Sequence, residues 1–163
     1  MEEILKRLRR LESVQEIQRV MYVYAECVDR ARFDELGALF THGTIGAETR
    51  DNPMRGDAVR KFYAATNKVH ADGTLRTRHL STNAIIDIDP SGEHAFARSY
   101  FVVLQATDDV PLQPIVAGRY EDEFHVVEGR WWFAERVVCV DQIGNMRDHL
   151  TFDLATGSIP RVD

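Results

Sequence analysis

The chain predicts an α+β fold, with helices in its first third and an antiparallel sheet after them, packed as layers around one core. Three observations carry this. Apolar residues recur at helical intervals in the N-terminal part, the runs after Arg78 become β-branched and aromatic, and turn-forming clusters divide those runs into four. At 163 residues, against roughly 150 per domain, one domain is expected over 1–163, with its core over about 10–142 and a tail over 147–163 that packs across an edge or a mouth.

Taken in order, residues 2–10 read as a short helical piece. Ser13 followed by Glu16 has capping-box spacing, and Val14, Ile17, Met21, Tyr24 and Val28 then form one apolar face of a longer helix. Phe33, Leu36, Leu39 and Phe40 give another helix, ended by His42-Gly43. Residues 44–55 are polar and read as a loop around Asp51-Asn52-Pro53. Gly56-Asp57 opens a third helix with Val59, Phe62 and Tyr63 on its inner face. Strands follow over 80–88, 94–106, 115–127 and 130–140, separated by Asp89-Pro90-Ser91-Gly92, Asp108-Asp109-Val110-Pro111 and Glu128-Gly129. Such long strands, about 35 Å for 95–105 when extended, should twist and curl around the helices into a cone with one mouth. Such a shape can hold a small-molecule pocket between helix and sheet.

Composition narrows the function classes. Hydrophobic residues make up 44% and charged residues 28%, enough apolar material for a packed core. The net charge of -6 and the scattered basic residues argue against a nucleic-acid partner. Cys27 and Cys139 are too far apart in sequence for a metal or redox motif and read as buried free thiols of a reducing cytoplasm. No apolar run approaches the ~18 residues of a membrane span, and the charged N-terminus lacks the apolar stretch of a signal peptide, so a cytoplasmic protein without membrane attachment is expected. Motifs for zinc, a nucleotide phosphate or a serine-hydrolase elbow do not occur, so no metal or cofactor is expected.

Few side chains remain to carry chemistry. Asp29 follows the apolar pair Cys27-Val28 at the end of the long helix, either in solvent or at the rim of the core. His79 stands at the start of the first long strand. Tyr24 lies five residues before Asp29, about 140° away around a regular helix, so the two meet in one pocket only if the helix tightens. Arg136 sits in an apolar strand and needs a partner or a pocket, a surface ion pair being the plain alternative. Tyr100, Tyr120 and Trp132 lie on separate strands, and a single bulge would re-aim each of them. His42, His70, His94, His125 and His149 fall in loops, beside a turn, among charges or in the tail, and none pairs at metal-ligand spacing.

The order of these pieces resembles the cone-shaped superfamily named after nuclear transport factor 2 and, within it, the SnoaL-like group. The resemblance rests on Tyr24 to Asp29 followed by Phe33-Asp34-Glu35-Leu36-Gly37-Ala38-Leu39-Phe40, and on Gly56 opening a helix. It continues through Arg78-His79-Leu80-Ser81-Thr82-Asn83, Gly118-Arg119-Tyr120-Glu121-Asp122 and Gly129-Arg130-Trp131-Trp132-Phe133-Ala134-Glu135-Arg136, from about residue 10 to 140. Members with an Asp-His dyad include scytalone dehydratase, bile-acid 7α-dehydratases and a hexachlorocyclohexane dehydrochlorinase. The resemblance implies that Asp29 and His79 match the dyad, Tyr24 the tyrosine five residues before the aspartate, and Arg136 the arginine after the tryptophan strand.

What this implies is a cofactor-independent lyase, dehydratase-like, acting on a hydrophobic cyclic small molecule, with His79 as base, Asp29 as its orienter, and Tyr24 or Arg136 stabilising an oxyanion. Tyr100, Tyr120, Trp132 and Asn83 are expected to contact the substrate. The fold also serves isomerases, the non-catalytic β subunits of ring-hydroxylating dioxygenases and ligand binders, and these readings stay open. Self-association as a trimer or dimer through the sheet is expected from the same resemblance.

Overall fold

The computed structural model describes residues 1–156. The described elements are α1 (Glu2–Asp29), α2 (Phe33–Ala38), β1 (Thr44–Ala47), α3 (Asp57–Thr66), β2 (Thr77–Ile88), β3 (His94–Gln105), β4 (Gln113–Val127) and β5 (Arg130–Ile143), followed by a 3₁₀ turn at Leu154–Thr156. The α+β class is as expected: the helices pack on one face of a curved, open sheet whose strand order is β1-β5-β4-β3-β2.

Helix α1 is one unbroken helix of 28 residues, not two pieces. No Pro or Gly interrupts residues 2–29, so the helix runs through Ser13 and no cap forms there. Ile17, Met21, Tyr24 and Val28 are buried at the expected intervals against the sheet, whereas Ile4, Leu5, Leu8 and Leu11 are exposed on the first turns. The stretch expected to be a loop over 44–55 includes the fifth strand. Four residues of mixed polarity carry no strand period, and β1 exists because it pairs in parallel with the distant β5, Ile45 opposite Arg136. Gly43 permits this approach: a Cβ there would lie 2.0 Å from the Phe133 carbonyl oxygen.

Strands β2 to β5 form the antiparallel meander predicted from the turn signals. Register shifts between Thr82 and Ile85, Ala117 and Gly118, and Glu123 and Phe124 increase the local twist and curl the sheet. Along β3 the alternation is nearly strict: Ala95, Ala97, Ser99, Phe101, Val103 and Gln105 are buried against the helices, and Phe96, Arg98 and Tyr100 face outward. The tail crosses back over the helical side. Lys68 donates its backbone N–H to the His149 carbonyl at 2.8 Å and Thr151 donates to the Thr66 carbonyl at 2.9 Å, fixing it beside the end of α3. Of the tail expected over 147–163, residues 157–163 lie outside the described residues.

Candidate functional site

Asp29 is the last residue of α1, where the unpaired carbonyls of the helix end disfavour a carboxylate. Three local donors compensate. Thr77 Oγ1 donates to Oδ1 at 2.7 Å, the His79 backbone N–H donates to Oδ2 at 3.0 Å, and His79 Nδ1 lies 2.6 Å from Oδ1. These donors come from β2, whose first residues run alongside the end of α1 because Leu75 N–H donates to the Asp29 carbonyl at 3.0 Å. Burial alone would push the Asp29 carboxyl up, but the hydrogen bonds and charge of His79, with the Thr77 hydroxyl, hold it below its ordinary value. Asp29 is therefore an anion facing Nδ1, the arrangement that favours a proton on Nδ1 over one on Nε2. The hydrogen bonds of His79 among the described residues run through its backbone N–H and Nδ1, and none runs to Nε2. The His79 side chain is 9% exposed.

Tyr24 belongs to a different cluster. The helix stays regular to Asp29, and the tyrosine, five residues earlier, turns toward β4 and β5, as the angular offset requires. Its hydroxyl hydrogen-bonds the Tyr63 hydroxyl of α3 at 2.7 Å, and its ring lies 4.3 Å from the Arg136 guanidinium carbon. Arg136 is fully buried. Its Nε and Nη2 donate to the two carboxylate oxygens of Asp122 at 2.8 and 2.7 Å, while Tyr120 and Phe133 flank it at 4.0 and 4.5 Å. Burial would lower the guanidinium, but Asp122 keeps it charged. Nη1 alone has no hydrogen-bond partner among the described residues. Burial pushes the Tyr24 and Tyr63 phenols up, so both remain protonated donors. Arg136 is thus a core cation with a partner, and the surface ion pair left open by the sequence does not form.

The remaining expected contacts divide between the two sheet faces. Tyr120 is buried inside, stacked on Phe101 with ring centroids 4.5 Å apart. Tyr100 is 57% exposed on the outer face. Asn83 is exposed in the β2 bulge with φ of 54°, and both it and Tyr100 line an outer groove of about 580 Å³ with Ile85, Phe96 and Arg98. Trp132 also faces outward, packed edge-on against His42 at 4.8 Å. Strand alternation places Tyr100 and Trp132 on the side of the sheet opposite His79, and the β2 bulge turns Asn83 to that outer groove as well.

Residues 9–137 match the family model of the SnoaL-like domain. This chain belongs to the SnoaL-like domain family. No curated protein matches it in sequence. Among solved structures, the SnoaL-like chain is similar to a proposed scytalone dehydratase from Novosphingobium aromaticivorans, at 24% identity over 82% of this chain and 87% of that one, TM-score 0.64. It is likewise similar to the β subunit of a proposed aromatic-ring-hydroxylating dioxygenase from the same organism, at 23% identity over 79% and 89% of the two chains, TM-score 0.61. The structure of LinA shares 19% identity over 84% and 91%, TM-score 0.64. These likenesses establish a common fold.

Sequence reasoning passed over four residues of these clusters. Thr77 has no signal of its own. Tyr63 was visible as a phenol on the apolar face of α3, a position that demands a partner. Asp122 shares a period-two face with the inward Tyr120 and Phe124, so strict alternation along β4 puts a carboxylate inside, opposite Arg136. His149 carries no periodic signal, yet it is buried with its ring centroid 6.2 Å from that of His79. Among the described residues no group of three His, Cys, Asp or Glu is arranged to hold a metal ion. No helix among them is long and apolar enough to cross a membrane.

Proposed function

We propose that this SnoaL-like protein is a cofactor-independent lyase that eliminates a β leaving group, water by preference, from a hydrophobic cyclic carbonyl compound. The observation that carries this reading is the 2.6 Å contact of Asp29 with His79 Nδ1, which favours the Nδ1–H tautomer, while Nε2 makes no hydrogen bond among the described residues. The similarity to a proposed scytalone dehydratase supports the reaction class.

The chemistry follows from that tautomer. Nε2 takes the proton from the carbon next to the carbonyl, and the electrons of the C–H bond form an enolate with its charge on oxygen. Asp29 stabilises the imidazolium that results. The enolate collapses, the β carbon–oxygen bond breaks, and hydroxide leaves with the proton returned from His79 as water. The enone is released and His79 is restored to its starting state. Tyr24, Tyr63 and Arg136 form a second polar cluster in the same interior, and a donor from it that reached the developing oxyanion would stabilise it. Tyr120 and Phe101 supply apolar ring surface on the same side of the sheet.

The test is enone formation, followed by ultraviolet absorbance, from a panel of cyclic β-hydroxyketones. Turnover by the native protein that falls about 10²–10⁴-fold in His79→Ala, the range of a positioned general base, is expected. Turnover that persists in His79→Ala removes the dyad from the mechanism. No enone from any member of the panel, with saturable ligand binding intact, moves the protein to the ligand-binding class.

A further inference from the structure

The geometry points to His149, delivered by the tail, as a second imidazole of the same site: its ring N–H donates a hydrogen bond to the carbonyl oxygen of the ligand whose adjacent carbon faces His79. This rests on the reading of His79 as the base.

Three features of the structure converge on it. The ring of His149 lies 6.2 Å from that of His79, tilted by 59°, so the two are too far apart to bond each other and too close to be independent. His149 is 5% exposed, and its Nδ1 is buried with no hydrogen-bond partner among the described residues. Native proteins rarely leave a buried polar nitrogen unpaired, because desolvation is not repaid, and one held so against a reactive imidazole has its partner supplied from outside. The backbone around it is firmly placed. Lys68 N–H holds the His149 carbonyl, Leu150 bridges Asn67, and Thr151 Oγ1 donates to the Ala65 carbonyl at 3.1 Å. The side chain is therefore positioned by a cross-brace to the end of α3 rather than by any contact of its own ring nitrogens.

The spacing suits enolisation. A base must come within about 3 Å of the proton-bearing carbon, and a donor within about 3 Å of the oxygen that gains charge. Two imidazoles on opposite sides of a carbonyl meet both conditions with a small separation of the tail from β2. The groups facing His149 are His79, Asp29 and His70; burial first, then the two histidines, push its imidazole down to about 3, against the pull of Asp29. At neutral pH it is an uncharged N–H donor, the form that polarises a carbonyl without competing for the proton that His79 takes. No proton leaves His149 in this scheme.

The experiment uses tetralone labelled with carbon-13 at the carbonyl, a fused-ring ketone with no β leaving group, and the full-length protein labelled with nitrogen-15 at histidine. Binding should move the ring nitrogens of both His149 and His79 and shift the carbonyl carbon downfield. In His149→Phe, which keeps the ring volume and removes the donor, the downfield shift should vanish; His149→Gln, which restores an N–H, should recover part of it and carries the test if the Phe variant does not fold. With a β-hydroxyketone that turns over, kcat should fall about 10²–10³-fold in His149→Phe with KM changed far less. A carbonyl shift unchanged in His149→Phe, or tetralone that leaves the His149 resonances unmoved, overturns the inference. Turnover that depends on His79 but not on His149 overturns it while the lyase reading stands. A carbonyl shift that depends on His149, in a protein that eliminates nothing, leaves this site in place and ends the lyase reading.

Discussion

Replacing Asp29 by Asn keeps the shape of the side chain and inverts half of its hydrogen-bonding character. The carboxylate now accepts from Thr77 Oγ1 at 2.7 Å, from the His79 backbone N–H at 3.0 Å and from His79 Nδ1 at 2.6 Å. A carboxamide offers one acceptor oxygen, so its NH2 must confront at least one of those donors. Only the backbone N–H is fixed, so the amide oxygen takes the Oδ2 place and the NH2 the Oδ1 place; there the Thr77 hydroxyl rotates to accept and the imidazole moves its proton to Nε2, so that Nδ1 becomes an acceptor. Hydrogen bonds to a charged group are worth about 1.5–3 kcal/mol each, and a buried mismatch adds to the loss, so stability should fall by about 2–4 kcal/mol. Turnover should fall about 10²–10⁴-fold, or about 3–5 kcal/mol in barrier, because the atom that must accept a proton already carries one. Urea denaturation measures the first number and enone formation the second. Nitrogen-15 histidine spectra read the tautomer without any substrate. An Asp29→Asn protein that keeps Nδ1 protonated and loses no activity would refute the assignment of Asp29 as the group that orients His79.

Acid should destabilise the protein through two groups with the same sign. The depressed Asp29 carboxyl contributes stability above its unfolded value of about 3.9, lost as pH falls through its lower folded value. His149, pushed down to about 3 mainly by burial, refuses a proton that the unfolded chain takes up below about pH 6.5, costing up to about 1.4 kcal/mol per pH unit in between; thermal unfolding of His149→Phe should show a flatter decline from pH 6.5 toward 4. Asp122→Asn strands the fully buried Arg136 and should cost about 3–5 kcal/mol in urea unfolding, whereas a paired replacement of both residues by Leu and Met should recover most of it. Gly118→Ala drives a Cβ to 2.0 Å from the Cys139 carbonyl oxygen and 2.9 Å from the Phe101 ring, so it should lower Tm strongly by parting β4 from β5; a Tm within a degree of the native value contradicts that packing.

Local pattern alone determined much of the architecture. The apolar spacing of Ile17, Met21, Tyr24 and Val28 fixed the buried face of α1, and the turn residues at Asp89-Pro90-Ser91-Gly92 and Glu128-Gly129 fixed the meander, because helical period and turn chemistry are properties of neighbouring residues. The residue types of the dyad were visible as well, Asp29 at a helix end and His79 at the start of a strand. Tertiary structure decided the rest. β1 has too few residues to show a period and is a strand only because Gly43 lets it lie beside β5. Bulges and alternation turned Tyr100, Asn83 and Trp132 to the outer face and kept Tyr120 within. Tyr24 parted from Asp29 because a regular helix rotates 100° per residue, and it met Tyr63 and Arg136 instead. His149 reached His79 through a tail with no sequence signal, placed by backbone hydrogen bonds to residues more than eighty positions earlier. A site assembled from chain segments this distant depends on how the curved sheet and the helices close on one another, and a one-dimensional pattern does not encode that distance.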